Sequence, residues 1–70
     1  MTKATRLTNQ VKRYRQLQNL TQEQLAEKLN VSRQTLIAIE NGKYSPSLEF
    51  ALSLSRILQA KLDDLFQLPE

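Results

Sequence analysis

The strongest constraint on this chain lies between Gln22 and Glu40, QEQLAEKLNVSRQTLIAIE, where two helix starts sit on either side of a turn. Thr21 followed by Gln24 reads as a capping box: the hydroxyl accepts from the free amide three residues on, and the glutamine side chain returns the bond. A helix therefore starts at Gln22. Leu25, Ala26 and Leu29 give it a narrow apolar stripe, and Asn30 ends it, because asparagine tolerates the left-handed conformation that closes helices. Ser32 is a second N-cap, only two residues later. In the helix that follows, Leu36 and Ile39 are spaced to face inward, leaving Arg33, Gln34, Thr35, Ile37 and Ala38 on or beside the outer surface. Nothing inside so short a chain needs that polar face.

These residues resemble the helix-turn-helix of the phage repressor and Cro type, the XRE-like transcription regulators. Gln22 opens the second helix, and Ala26 is the small residue that lets the two helices approach. Leu25, Leu29, Val31, Leu36 and Ile39 occupy the apolar positions, and Glu40-Asn41-Gly42-Lys43 matches the E-N-G-K after the recognition helix. Asn30 stands where the family has its turn glycine. The resemblance runs from about Val11 to Phe66. It implies an all-α fold, a compact five-helix domain with the helix-turn-helix formed by helices two and three. It also implies an ion pair between Arg15 and Glu40, so Arg15 is read as structural despite its basic neighbours.

The rest of the chain fits one domain, 1–70, with helices expected at about 8–18, 22–29, 33–40, 48–58 and 62–66 and no strand. Val11 and Tyr14, with Leu7 and Gln18, share a face of the first helix. Asn19 stands where a closing glycine is usual, and Leu20 is placed to pack on Leu25 as a hydrophobic staple. Gly42, the single glycine, is expected at a positive φ. Ser47 caps the fourth helix, whose Leu48, Ala51, Leu52, Leu54 and Leu58 are expected to form a wide apolar face. The family usually has glycine at Gln59 and a serine cap at Lys61, so the last helix is expected to be short and to fray first.

Composition removes whole classes of chemistry. With no cysteine and no histidine, thiolate metal sites, disulfides and the commonest general base are missing, and no glycine-rich phosphate loop is present. An enzyme is not expected, nor a cofactor, a metal or a small-molecule ligand. No apolar run approaches the roughly 20 residues that cross a bilayer, so the expectation is a cytoplasmic protein of a bacterium or phage, nucleoid-associated when bound, with no membrane partner. The net charge is +3, and it is unevenly spread. Lys3, Arg6, Lys12, Arg13 and Arg15 precede the first acid, and Asp63, Asp64 and Glu70 lie at the other end. A basic N-terminal third beside a polar recognition helix suits a polyanion; a solvated helix face is the competing explanation.

Double-stranded DNA is the expected partner. In the major groove, Arg33 would donate twice to guanine and Gln34 would donate and accept at adenine, each pair contributing about 1–3 kcal/mol of discrimination, while Ile37 and Ala38 would meet thymine methyls. Arginine beside the positive end of a helix dipole is unfavourable unless an anion is near. The resemblance assigns phosphate contacts to Gln22, Asn41 and Lys43, with Ser32 as a cap that also touches phosphate and Thr35, Tyr44, Lys12 and Arg13 as weaker candidates. Asn41 serves equally well as a plain helix end. A domain this small is expected to act as a homodimer on a two-fold operator, the cheapest route to affinity and specificity, and as a repressor. Among Leu62, Leu65, Phe66 and Leu68, the first two are expected in the core and the last two remain open as dimer contacts. The alternative is an antitoxin-type protein-binding module with autoregulatory DNA binding.

Overall fold

Hydrogen-bonded caps cut the chain into its elements, and the computed structural model describes them for residues 7–43 and 45–69. In order they are β1 (Thr8–Asn9), α1 (Val11–Leu17), α2 (Gln22–Leu29), α3 (Arg33–Glu40), α4 (Leu48–Leu58), α5 (Leu62–Leu65) and β2 (Phe66–Gln67). At the start of α2 Thr21 Oγ1 accepts from the Gln24 amide at 3.0 Å and Gln24 Oε1 accepts from the Thr21 amide at 2.9 Å. Ser32 Oγ accepts from the Thr35 amide and Ser47 Oγ from the Phe50 amide, both at 3.1 Å. Each bond satisfies an amide that a helix leaves unpaired at its first turn.

Four helices end alike. Asn19, Asn30, Gly42 and Gln59 take φ values of 58°, 60°, 71° and 53°. In each case the next residue's amide reaches five residues back: Leu20 to the Arg15 carbonyl, Val31 to Ala26, Lys43 to Ala38 and Ala60 to Ser55. This is the Schellman closure. One of the four residues is a glycine; the others hold the left-handed conformation against the steric cost of a Cβ.

Between the caps, one face of each helix is buried. Val11, Leu25, Ala26, Leu36, Leu54, Leu58 and Leu65 form the core, with Tyr14, Leu20, Leu29, Val31, Phe50, Ile57, Ala60 and Phe66 packed around it. Each large apolar side chain so buried contributes about 1.5–3 kcal/mol.

The structure departs from the sequence expectations in three places. The first helix starts at Val11 instead of near residue 8, because Thr8 and Asn9 pair antiparallel with Gln67 and Phe66 in a two-stranded sheet. The last helix accordingly stops at Leu65, and Phe66 belongs to a strand. Two-residue strands show no alternation, so no pattern in the sequence announces them. The inward face of α4 is also narrower than expected: Ala51, Leu54 and Leu58 are buried, whereas Leu48 and Leu52 are exposed. Leu52 lies about 100° around the helix from Ala51, off the stripe that meets the core.

Candidate nucleic-acid interface

A buried carboxylate organises the polar side of the fold. Arg15 is 7% exposed, and its Nε donates to Glu40 Oε2 at 2.8 Å, a pair in which the carboxylate is the more buried partner. Its Nη1 donates to the Leu20 carbonyl at 2.8 Å, and Gln22 Nε2 donates to the second Glu40 oxygen at 3.1 Å. Both carboxylate oxygens are thereby used, and the end of α1, the start of α2 and the end of α3 are tied through one group. Desolvating a charge pair is costly, and it is offset here by the additional hydrogen bonds. Among the described residues no buried side-chain polar atom lacks a partner.

Around this anchor the start of α3 is held with one face in and one face out. Leu36 and Ile39 are buried. Arg33 and Gln34 are exposed, and Thr35, Ile37 and Ala38 are half-buried beside them. The Thr35 hydroxyl is engaged with Ser32 Oγ at 2.9 Å, which tightens the first turn. Arg33 also reaches the rim of a recess of about 390 Å³ that it shares with Arg15, Leu20, Thr21, Gln22 and Glu23. The recess is lined by the first residues of α2, among them the acidic Glu23, beside the exposed Arg33; a helix N-terminus next to a guanidinium is chemistry that accepts an oxyanion.

Not every candidate is gathered here. Asn41 is the C-cap of α3 and Lys43 follows the left-handed Gly42, both exposed, so they flank the far end of the recognition helix. Lys12 and Arg13 are exposed on α1, with no ion pair or hydrogen bond to α3 among the described residues. Tyr44, and the N-terminal Lys3 and Arg6, lie outside the described residues. Gln22 already gives one of its Nε2 hydrogens to Glu40, which leaves the other for an outside acceptor.

Asn9 is the residue that sequence reasoning passed over. Its Oδ1 accepts from the Val11 amide at 3.1 Å in a turn that leads into α1, and its Nδ2 donates to the Ile39 carbonyl at 3.0 Å near the end of α3. An asparagine whose side chain bonds the backbone two residues on is a turn signal, and placing the helix start at residue 8 concealed it.

A family model described as helix-turn-helix matches residues 11–65. The chain belongs to the XRE-like helix-turn-helix family. This helix-turn-helix protein is 55% identical over 60 residues to an uncharacterized HTH-type transcriptional regulator of Methanocaldococcus jannaschii, a match covering 86% of the present chain and 91% of the relative. It is 42% identical over 64 residues to YgzD of Bacillus subtilis, described in the same words, covering 91% and 97% of the two chains. The crystal structure of a Bacteroides fragilis protein, itself classed as DNA-binding only provisionally, superposes with a TM-score of 0.79 over 87% of this chain and 98% of that one, at 23% identity. That likeness concerns the fold alone. Membership makes this regulator a DNA-binding transcriptional regulator with double-stranded DNA as its partner. No helix among the described residues is long and apolar enough to cross a membrane.

Proposed function

We propose that the protein is a transcriptional repressor that reads the major groove with α3, two copies occupying one two-fold operator. The observation that carries this reading is the presentation of Arg33 and Gln34, both exposed at the first turn of a helix whose opposite face, Leu36 and Ile39, is sealed in the core. Such a helix has no spare degree of freedom, and its polar tip is available to base edges. Arg33 and Gln34 read bases, Ile37 and Ala38 supply apolar contacts, and the α2 recess with Gln22, Asn41 and Lys43 grips phosphates on either side. Ser32 and Thr35 add contacts at the helix start, and Lys12 and Arg13 add long-range attraction. Repression follows from occlusion, since a dimer seated on a promoter blocks access without a further partner. We place the protein in the cytoplasm, where chromosomal DNA of a bacterium or archaeon lies.

Selection of bound sequences from random duplex DNA at stated salt tests the reading. The expected result is an inverted repeat with half-sites about 10 base pairs apart; enrichment of an asymmetric site, or of none, refutes it.

A further inference from the structure

The Ile39 carbonyl receives two hydrogen bonds from different parts of the chain. One comes from the Gly42 amide at 3.1 Å and belongs to the closure of α3, together with the bond from the Lys43 amide to the Ala38 carbonyl at 3.0 Å. The other comes from Asn9 Nδ2 at 3.0 Å, 30 residues earlier in the sequence. A carbonyl oxygen offers two lone pairs, and here each has a donor.

Asn9 is fitted to this bond from its other end. Its Oδ1 accepts from the Val11 amide at 3.1 Å, which sets the plane of the side-chain amide and aims Nδ2 at α3. The partners also fix which end of the amide is which, since the Val11 amide requires an acceptor and the Ile39 carbonyl a donor. The Asn9 backbone is held opposite Phe66 in the β1–β2 ladder, next to the bond from the Gln10 amide to the Leu65 carbonyl. The Glu40 network ties the same end of α3 through a side chain, whereas the Asn9 bond lands on the backbone of the closure itself. That closure carries the exposed Lys43, whose own amide is one of its bonds.

We propose that Asn9 is a positioning residue for DNA binding: through the Ile39 carbonyl it holds the α3 closure, so that Lys43 leaves the backbone from a fixed root to reach a phosphate. The proposal rests on the phosphate role given to Lys43 above. A lysine ammonium on its flexible stem finds a phosphate from many backbone positions, but a loose root has to be ordered on binding, and that ordering weakens the contact. A root fixed in the free protein removes part of the cost. Arg33 and Gln34 stand at the other end of α3, about 8 Å away by helical rise, so base preference is not what the Asn9 bond controls.

The test uses three substitutions in the full chain. Asn9→Ser keeps an acceptor for the Val11 amide and stops short of the Ile39 carbonyl. Lys43→Ala removes the phosphate contact. Gln67→Ala loosens the clasp by removing the side-chain bonds to Thr8 and to the Asp63 and Asp64 carbonyls, and leaves the Asn9 side chain as it is. Each variant is titrated, below its melting transition, against the selected duplex and a mismatched one at several salt concentrations. Asn9→Ser is expected to weaken binding to both duplexes alike, by about fivefold, and to lower the salt slope by up to about 1. In the Lys43→Ala background it is expected to change affinity by less than about twofold and to leave the slope unchanged, and Gln67→Ala is expected to bind within about twofold of the native chain. Native affinity or slope for Asn9→Ser, a loss confined to the matched duplex, an undiminished loss in the Lys43→Ala background, or an equal loss from Gln67→Ala overturns the positioning role while the phosphate role of Lys43 stands. If Lys43→Ala itself binds with native affinity and slope, the phosphate role falls and the proposal with it.

Discussion

Arg15 sits among basic residues in the sequence, yet its environment sets it apart from Lys12 and Arg13. It is buried, bonded to Glu40 and to the Leu20 carbonyl, whereas the other two are exposed. Replacing it leaves a carboxylate in the interior with Gln22 as its remaining partner. Arg15→Ala should cost on the order of 3–5 kcal/mol, and at about 4–8 °C per kcal/mol for a domain of this size the melting temperature should fall by 10 °C or more. A thermal melt decides it: weaker DNA binding with an unchanged melting temperature would reassign Arg15 to the interface. The exposed residues should behave differently. Arg33→Ala should relax preference at one base position by about 1–3 kcal/mol, while Lys43→Ala should weaken all sequences alike and lower the salt slope by about 1. Titrations on matched and mismatched duplexes at several salt concentrations separate the two. Equal loss on every sequence from Arg33→Ala would count against direct readout.

At the scale of elements, the shared helix closure explains how one glycine suffices for four turns. Asparagine takes the left-handed conformation at positions 19 and 30 at less cost than glutamine does at position 59, where φ is 53°. The closure survives there because Ser55 holds both ends of it, its carbonyl accepting from the Ala60 amide and its hydroxyl donating to the Ala60 carbonyl. Gln59→Gly should therefore stabilise the protein by about 0.5–1 kcal/mol, and Asn30→Gly by less. Chemical denaturation ranks them; a destabilised Gln59→Gly would mean that its side chain contributes more than its backbone costs. The capping box, the Ser32 and Ser47 caps and the inward stripes are local features, so they are legible in the residues themselves. The β1–β2 ladder is not. It joins Thr8 to Gln67, partners far apart in the chain, and neither segment carries a periodic signal.

For the whole molecule, that ladder is a clasp. The Gln10 amide donates to the Leu65 carbonyl at 2.8 Å, and Thr8–Asn9 pairs with Phe66–Gln67, so both ends of the described chain close over one core. Phe66 packs against that core from β2. Truncation after Leu65 removes the strand and the phenyl ring and should lower stability by about 2–3 kcal/mol, visible as an earlier denaturant midpoint with the DNA preference intact. A shifted preference would show that the clasp positions α3 as well as stabilising it. Asn9 connects the clasp to α3, since its side chain joins β1 and α1 to the Ile39 carbonyl.

The residues by themselves determined the helix-turn-helix: its caps, its turn at Asn30, its inward Leu36 and Ile39 and its polar outer tip all depend on neighbours within a few positions. Tertiary structure decided the rest, because the remaining questions concern groups distant along the chain. It gave the Gln22 side chain to Glu40, made Asn9 a tie between the N-terminus and α3, turned residues 8–9 and 66–67 into strands, and left Leu48 and Leu52 outside the core. Periodicity registers which side of a helix is apolar; only packing settles how much of that side the other helices have room to cover.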